Sequence, residues 1–160
     1  MDHAFLNSVA YNSARAALKN YRRARKKLMK LGIIRSERTV QGDYGEWLAC
    51  SLLKLTTAKS GVQPGYDATD EQGQKYQIKT RLIHDIDSAT SFDLHEMNQG
   101  FDFLLGVLLS KEVELLAIVK IPYAEVSSRA NKNLTSYRLR WTKANWKASW
   151  VEVLYKVSNV

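Results

Sequence analysis

Two apolar runs, residues 101–109 and 113–121, constrain the fold more than any other feature of this 160-residue chain. Each is almost continuously apolar, interrupted by Asp102 and Gly106 in the first and by Glu114 and Lys120 in the second. Strands that are covered on both faces lose the usual apolar/polar alternation, so both runs read as central strands of a sheet. Ser110-Lys111-Glu112 is a short polar link, which predicts that the two pair as a hairpin. Asp102, at the edge of the first strand, reads as structural. A sheet buried on both faces needs covering layers, and the rest of the chain must supply them. The length suits one domain with a real core, at most with an appendage. The single cysteine, Cys50, rules out a disulfide framework, and a reducing cytoplasm is its natural setting. No apolar run approaches a membrane span, and the N-terminus lacks the apolar stretch of a signal peptide.

Charge is distributed unevenly. The formal net charge is +8, and residues 1–35 hold nine Lys or Arg against the single acid Asp2. The remaining residues carry equal numbers of each sign. A basic segment on a neutral body suggests a polyanionic partner. Residues 2–31 read as one long helix, with Leu6, Ala10, Ala14, Ala17, Tyr21, Ala24, Leu28 and Leu31 at alternating spacings of four and three. That is a heptad stripe, rich in alanine and suited to close packing. Gly32 is a helix stop. Seven like charges between Lys19 and Lys30 (Lys19, Arg22, Arg23, Arg25, Lys26, Lys27 and Lys30) repel one another within the helix. Two readings stand: a helix docked on its own domain with a solvated basic back, or one that associates through its alanines and offers its basic face to nucleic-acid phosphates. The second is preferred, because a phosphate backbone would remove the repulsion and release counterions.

Residues 36–58 predict a second helix, capped by Ser36 or Thr39, with Val40, Tyr44, Trp47, Leu48, Leu52 and Leu55 on one apolar face. Glu46 lies at the border of that face. A solvated carboxylate is the bland reading, and its place beside Trp47 and upstream of the next element favours a functional one. Gly42 and Gly45 are costly inside a helix. They suit a close approach of backbone or DNA, or a helix that starts only near Asp43. After a turn at residues 59–64, residues 65–81 read as a β-hairpin. Asp67 closes a short first strand, 70–73 is a polar turn, and 75–81 is the second strand. Side chains alternate along a strand, so Gln77, Lys79 and Arg81 share one face, and hairpin pairing brings Asp67 beside them. A carboxylate, further oxygen ligands and a lysine at a strand edge are the parts a magnesium-dependent phosphodiesterase requires. The cation takes hard oxygen ligands, and the lysine stabilises charge on the phosphate or helps deprotonate water.

This stretch resembles the PD-(D/E)xK nuclease superfamily. Its pattern is an Asp at a strand end, a variable gap, then Asp/Glu-x-Lys on the next strand, often with a Glu from an upstream helix. Here the Asp falls on Asp67, the x-Lys on Ile78-Lys79 and the helix Glu on Glu46. The resemblance covers residues 42–126. Gln77 stands where the family usually has Asp or Glu. Gln offers a carbonyl oxygen without charge, so metal affinity should fall, and Glu46 is placed to compensate.

Residues 82–98 read as an irregular polar loop with a short helical turn at 92–97. Its His84, Asp85, Asp87, Asp93, His95 and Glu96 match no zinc spacing, although His84 is close enough to the Lys79 strand for an auxiliary proton shuttle. Pro122 opens a short helix, and 136–141 alternates, with Tyr137, Leu139 and Trp141 on one side and Arg138 and Arg140 on the other. Residues 151–157 are strand-like. The interleaved basic and aromatic residues of 136–150 suit nucleic-acid contact or an amphipathic edge whose tryptophans cap the core, and the second reading is preferred.

The element order predicts an α/β fold: a small central mixed sheet flanked by helices, with a basic helical arm at 1–35 and the main domain at 36–160. The resemblance implies a restriction-endonuclease-like core of one helix, three strands, a helix and a strand. It further implies a Mg²⁺-dependent DNA endonuclease, restriction-, resolvase- or homing-type, in which Mn²⁺ can substitute and the products are a 5′-phosphate and a 3′-hydroxyl. Asp67, Gln77, the Ile78 carbonyl and Glu46 would hold the metal, Lys79 would face the scissile phosphate and Arg81 a neighbouring one. Small members of the family commonly act as dimers or tetramers. The alternatives are a nuclease-fold module that binds DNA without cutting it, and an interaction protein whose basic helix binds an acidic partner.

Overall fold

In the computed structural model, residues 3–30, 40–58, 65–95, 97 and 100–158 are described. The expected caps Ser36 and Thr39, the stop at Gly32 and the turn at 59–64 lie outside them. The chain is mixed α/β. Its main sheet has six strands in the order β1 (Thr56–Thr57), β2 (Ala68–Thr69), β3 (Lys75–Ile83), β5 (Phe103–Ser110), β6 (Leu115–Pro122) and β9 (Glu152–Lys156). A second sheet holds β4 (Thr90–Leu94), β8 (Tyr137–Trp141) and β7 (Asn131–Lys132), in that order. The helices are α1 (Val9–Lys30), α2 (Val40–Leu53) and α3 (Tyr123–Arg129). Among the described residues no helix is long and apolar enough to cross a membrane.

The two apolar runs form β5 and β6, which pair antiparallel. Leu104, Leu105, Val107, Leu108, Ala117, Ile118, Val119 and Ile121 are fully buried, as strands with both faces covered must be. Strand β3 lies on the other side of β5 and runs parallel to it over its whole length, from Tyr76 opposite Phe103 to Ile83 opposite Ser110. All other pairings are antiparallel. One face of the main sheet packs Tyr76, Ile78, Leu105 and Val107 against Tyr44, Leu48 and Leu52 of α2 and Tyr11 of α1. The opposite face packs Leu104, Leu108 and Val119 against Phe92, Leu139 and Trp141 of the second sheet and Val126 of α3.

Several expectations change in the structure. The N-terminal segment is not one helix: residues His3–Asn7 form a 3₁₀ turn, and α1 starts after Ser8, whose Oγ accepts the Tyr11 N–H at 3.1 Å. A serine that caps a helix in this way ends whatever precedes it. Of the heptad stripe, Leu6 packs inward, with Phe5, Tyr11 and Leu18, whereas Ala10, Ala17 and Ala24 are exposed, so the docked face of α1 is that of Tyr11 and Leu18. Helix α2 ends at Leu53 rather than at residue 58, because Lys54 adopts a left-handed φ of 55° and the Leu55 N–H closes on the Cys50 carbonyl at 2.9 Å, a Schellman-type stop. The turn expected at 92–97 is part of a strand. In β4, Phe92 and Leu94 are buried and alternate with Ser91 and Asp93, and the strand pairs with β8 from Thr90 opposite Trp141 to Leu94 opposite Tyr137.

The closest approach between layers is at Gly45 of α2. A Cβ there would fall 1.8 Å from the Thr80 Oγ1 of β3, so only glycine lets the helix lie this near the strand. Thr80 is buried and its Oγ1 has no hydrogen-bond partner among the described residues, a desolvation cost of about 1–3 kcal/mol. Gly42 has nothing within 4 Å of an added Cβ. Gly45→Ala should therefore destabilise by about 1–3 kcal/mol through overpacking. Gly42→Ala should be neutral or stabilising by up to about 1 kcal/mol through helix propensity. Urea unfolding of both variants checks this; equal midpoints would contradict the contact.

Candidate metal and phosphate site at the edge of strand β3

The hairpin expected at 65–81 is present as β2, a turn and β3. Asp70 builds the turn: its Oδ1 accepts the N–H groups of Gln72 and Gln74 at 3.0 and 2.9 Å, and its Oδ2 accepts the Tyr76 hydroxyl at 2.9 Å. Asp67 stands just before β2 rather than closing it. Its backbone still joins the ladder, donating to the Tyr76 carbonyl at 2.8 Å and accepting from the Ala58 N–H at 2.9 Å. The approach to Asp67 is fixed by Gly65, at φ 104°, whose backbone touches Gly100 ahead of β5 so closely that a Cβ on Gly100 would fall 2.7 Å from the Gly65 Cα.

Among the described residues, the pairing of Ala68 with Tyr76 is the last that β2 makes along this edge of β3. Asp67 bonds to the edge just beyond it. Its Oδ2 accepts the Ile78 N–H at 2.6 Å and also the Gln77 side-chain amide. The N–H and C=O of one strand residue point to the same edge, so the Ile78 carbonyl is directed to the side where Asp67 sits. Burial raises the Asp67 carboxyl above its ordinary value of 3.8, with the Ile78 N–H and the Lys79 charge opposing that rise. Lys79 is thus within electrostatic reach of the carboxylate. Glu46 enters from α2. Its charge and that of Asp67 both act on the Cys50 thiol, one helical turn beyond Glu46, whose pKa is raised first by burial and then by these two carboxylates, against a hydrogen bond with Thr57. Asp67 is therefore bonded to Gln77 and Ile78 and lies within electrostatic reach of Lys79, while Glu46 sits on α2, which packs on the opposite face of β3 from Gln77 and Lys79.

The donor set suits a hard divalent cation. It consists of the Asp67 carboxylate, the Ile78 carbonyl, the Gln77 amide oxygen after a half-turn of the amide, and Glu46 on the neighbouring helix, all oxygen. Among the described residues no three His, Cys, Asp or Glu side chains form a group, so neutral oxygens must complete any such site.

Arg81 requires a correction. Its guanidinium does not stand open to a phosphate: Nε donates to the Ser91 carbonyl at 2.5 Å, one terminal nitrogen pairs with Asp93 at 2.9 Å and the other donates to the Thr80 carbonyl at 3.2 Å. It clasps β4 to β3, because the strand formed by Thr90–Leu94 presents a carbonyl and a carboxylate to it. Asp93, expected in a polar loop, is a strand residue of this clasp, and the period-two pattern Ser91-Phe92-Asp93-Leu94 carries the signal for it. The loop acids Asp85 and Asp87 bind locally: Asp85 to the Asp87 N–H at 2.9 Å and to His84 at 3.3 Å, Asp87 to Lys143 at 2.6 Å. On α1, Lys19 lies 3.7 Å from Glu114, which also pairs with Arg15. Arg22 is half-buried, while Arg23, Lys26, Lys27 and Lys30 are exposed.

No protein-family model and no curated protein matches this chain.

The fold holds the Asp67 proton to higher pH than the unfolded chain does. The group's contribution to stability is complete below pH 3.8 and is lost as pH rises through the raised value. Asp67→Asn keeps an oxygen for the Ile78 N–H and carries no charge. In EDTA, its melting temperature relative to wild type should rise with pH across the carboxylate range, as followed by thermal melts; a falling difference would contradict the burial of Asp67.

Proposed function

We propose that this chain is a divalent-metal-dependent DNA endonuclease of the PD-(D/E)xK type, hydrolysing phosphodiester bonds. The observation that carries the reading is the Asp67 carboxylate seated at the edge of β3, bonded to Ile78 and Gln77 and within reach of Lys79. Asp67, Gln77, the Ile78 carbonyl and Glu46 would hold Mg²⁺ or Mn²⁺. The bound ion supplies Lewis-acid stabilisation of charge on the phosphoryl oxygens. Lys79 contributes the positive charge at the scissile phosphate and orients or deprotonates the attacking water. Asp67 fixes the edge geometry through the Ile78 N–H. The exposed cations of α1 (Arg23, Lys26, Lys27 and Lys30) give the protein a sequence-independent hold on the DNA backbone. Cutting both strands needs two sites, so we also propose self-association as a dimer or tetramer.

The topology supports the reading in part. Helix α2 is followed by three antiparallel strands, β1 to β3, and β5 lies parallel beside β3. The family pattern implies a helix between the third strand and the next. Here that crossover carries strand β4, and α3 follows only after β6.

Gln77 favours a second reading, a nuclease-fold module that binds DNA without cutting it. As an amide it brings no charge, and here it donates to Asp67 instead of offering an oxygen. Cleavage separates the two. Supercoiled plasmid, a four-way junction and a flap are incubated with Mg²⁺ or Mn²⁺ and with wild type, Lys79→Ala or Gln77→Glu. The endonuclease reading predicts cutting by wild type, at least a 100-fold loss in Lys79→Ala, on the order expected for a charge-stabilising group, and a lower Mg²⁺ requirement in Gln77→Glu. Salt-dependent DNA binding without cutting by any of the three proteins supports the binding module. Equal cutting by wild type and Lys79→Ala would contradict the assigned site.

A further inference from the structure

The outer face of the small sheet continues the β3 row outward. Leu139 and Trp141 of β8 are buried against Phe92 and Leu94, so the intervening Arg138 and Arg140 face away from the core, and both are exposed. Arg138 lies opposite Asp93 in register and Arg140 opposite Ser91. Those two β4 residues are the ones that Arg81 grips, through the Ser91 carbonyl and the Asp93 carboxylate. The other oxygen of Asp93 accepts from Arg138 Nε at 2.6 Å. One carboxylate thus fixes two guanidiniums, one on each sheet. Arg81 shares its face of β3 with Lys79 and lies two residues beyond it, about 7 Å along the strand. The result is a physically connected row: Lys79, Arg81, Asp93 with Arg138, and Arg140.

The charge of this row is not balanced. Asp93 neutralises one of its three guanidiniums, and Arg140 makes no ion pair among the described residues. Among the described residues Arg138 bonds Asp93 through Nε, which leaves its terminal N–H groups to other acceptors. An arginine has five donors in a planar fork suited to phosphate oxygens, and a fork already held by a carboxylate loses less side-chain entropy on binding. Trp141 of β8 is buried and packs at 4.9 Å on Trp146, so the outward face of β8 is carried by the two arginines between buried neighbours.

We propose that the Arg138–Arg140 face of β8 is a second phosphate-docking surface, over which the DNA strand leaves the Asp67–Lys79 site. This rests on the endonuclease reading for the position of the scissile phosphate, but its test is a binding measurement. A fluorescein-labelled DNA duplex is titrated with the full chain in EDTA, so that nothing is cut, at several NaCl concentrations. The variants are Arg140→Ala and, as a control on an exposed turn remote from β8 in sequence, Lys111→Ala. Circular dichroism verifies that both fold. Losing one phosphate contact should lower the slope of log affinity against log salt by about 0.9 and weaken binding about 3- to 10-fold at low salt, a loss of about 0.7–1.4 kcal/mol at 0.59 kcal/mol per RT. Lys111→Ala should match wild type. An Arg140→Ala protein with wild-type affinity and slope overturns the proposal, as does a Lys111→Ala protein weakened equally. If wild type does not bind DNA, both this surface and the endonuclease reading fail. If it binds through Arg140 but cuts none of the substrates above, the docking surface stands and the endonuclease reading alone fails.

Discussion

The contact of α2 with β3 at Gly45 and Thr80 governs the arrangement of this molecule. Only a helix without a side chain at that point can lie with its backbone against the Thr80 hydroxyl. The closeness buries Tyr44, Leu48 and Leu52 against Tyr76 and Ile78, and strand alternation then turns Gln77 and Lys79 to the opposite face of β3. Strand β3 is then engaged on every side: β5 parallel on one edge, β2 briefly on the other, α2 over one face and β4 clasped by Arg81 on the opposite face. Among the described residues β2 reaches β3 only briefly, and Asp67 bonds to the edge just beyond it.

The chemistry of that edge follows from competing terms. Burial disfavours the Asp67 charge, while the Ile78 N–H and Lys79 favour it. Burial has the larger effect, so the metal-free site holds a carboxylate that is costly to ionise. The divalent cation proposed above would offset that cost with its concentrated positive charge.

Much of this was legible in the sequence. The runs at 101–109 and 113–121 could not be anything but buried strands, and Asp70 to Gly73 had the composition of the turn it forms. The row Gln77, Lys79 and Arg81 followed from strand alternation, and the pairing of Asp67 with it from the hairpin. What could not be read depended on long-range partners. Thr90–Leu94 has only two apolar side chains, and it is a strand because β8 lies alongside it. The engagement of Arg81 depends on that same strand. The parallel alignment of β3 with β5 leaves no local mark, and the burial of Tyr11 and Leu18, rather than the alanine stripe of α1, was decided by which side of the helix the core could accept.

The central claim is that Asp67 and its neighbours at the β3 edge bind a divalent cation through oxygen ligands. The most direct measurement is titration of Mn²⁺ into the protein, followed by its electron paramagnetic resonance signal, for wild type, Glu46→Gln and Asp67→Asn. The account predicts saturable binding by wild type, weakened binding by Glu46→Gln and loss of the site in Asp67→Asn. Binding of the same affinity and stoichiometry in wild type and Asp67→Asn would contradict it.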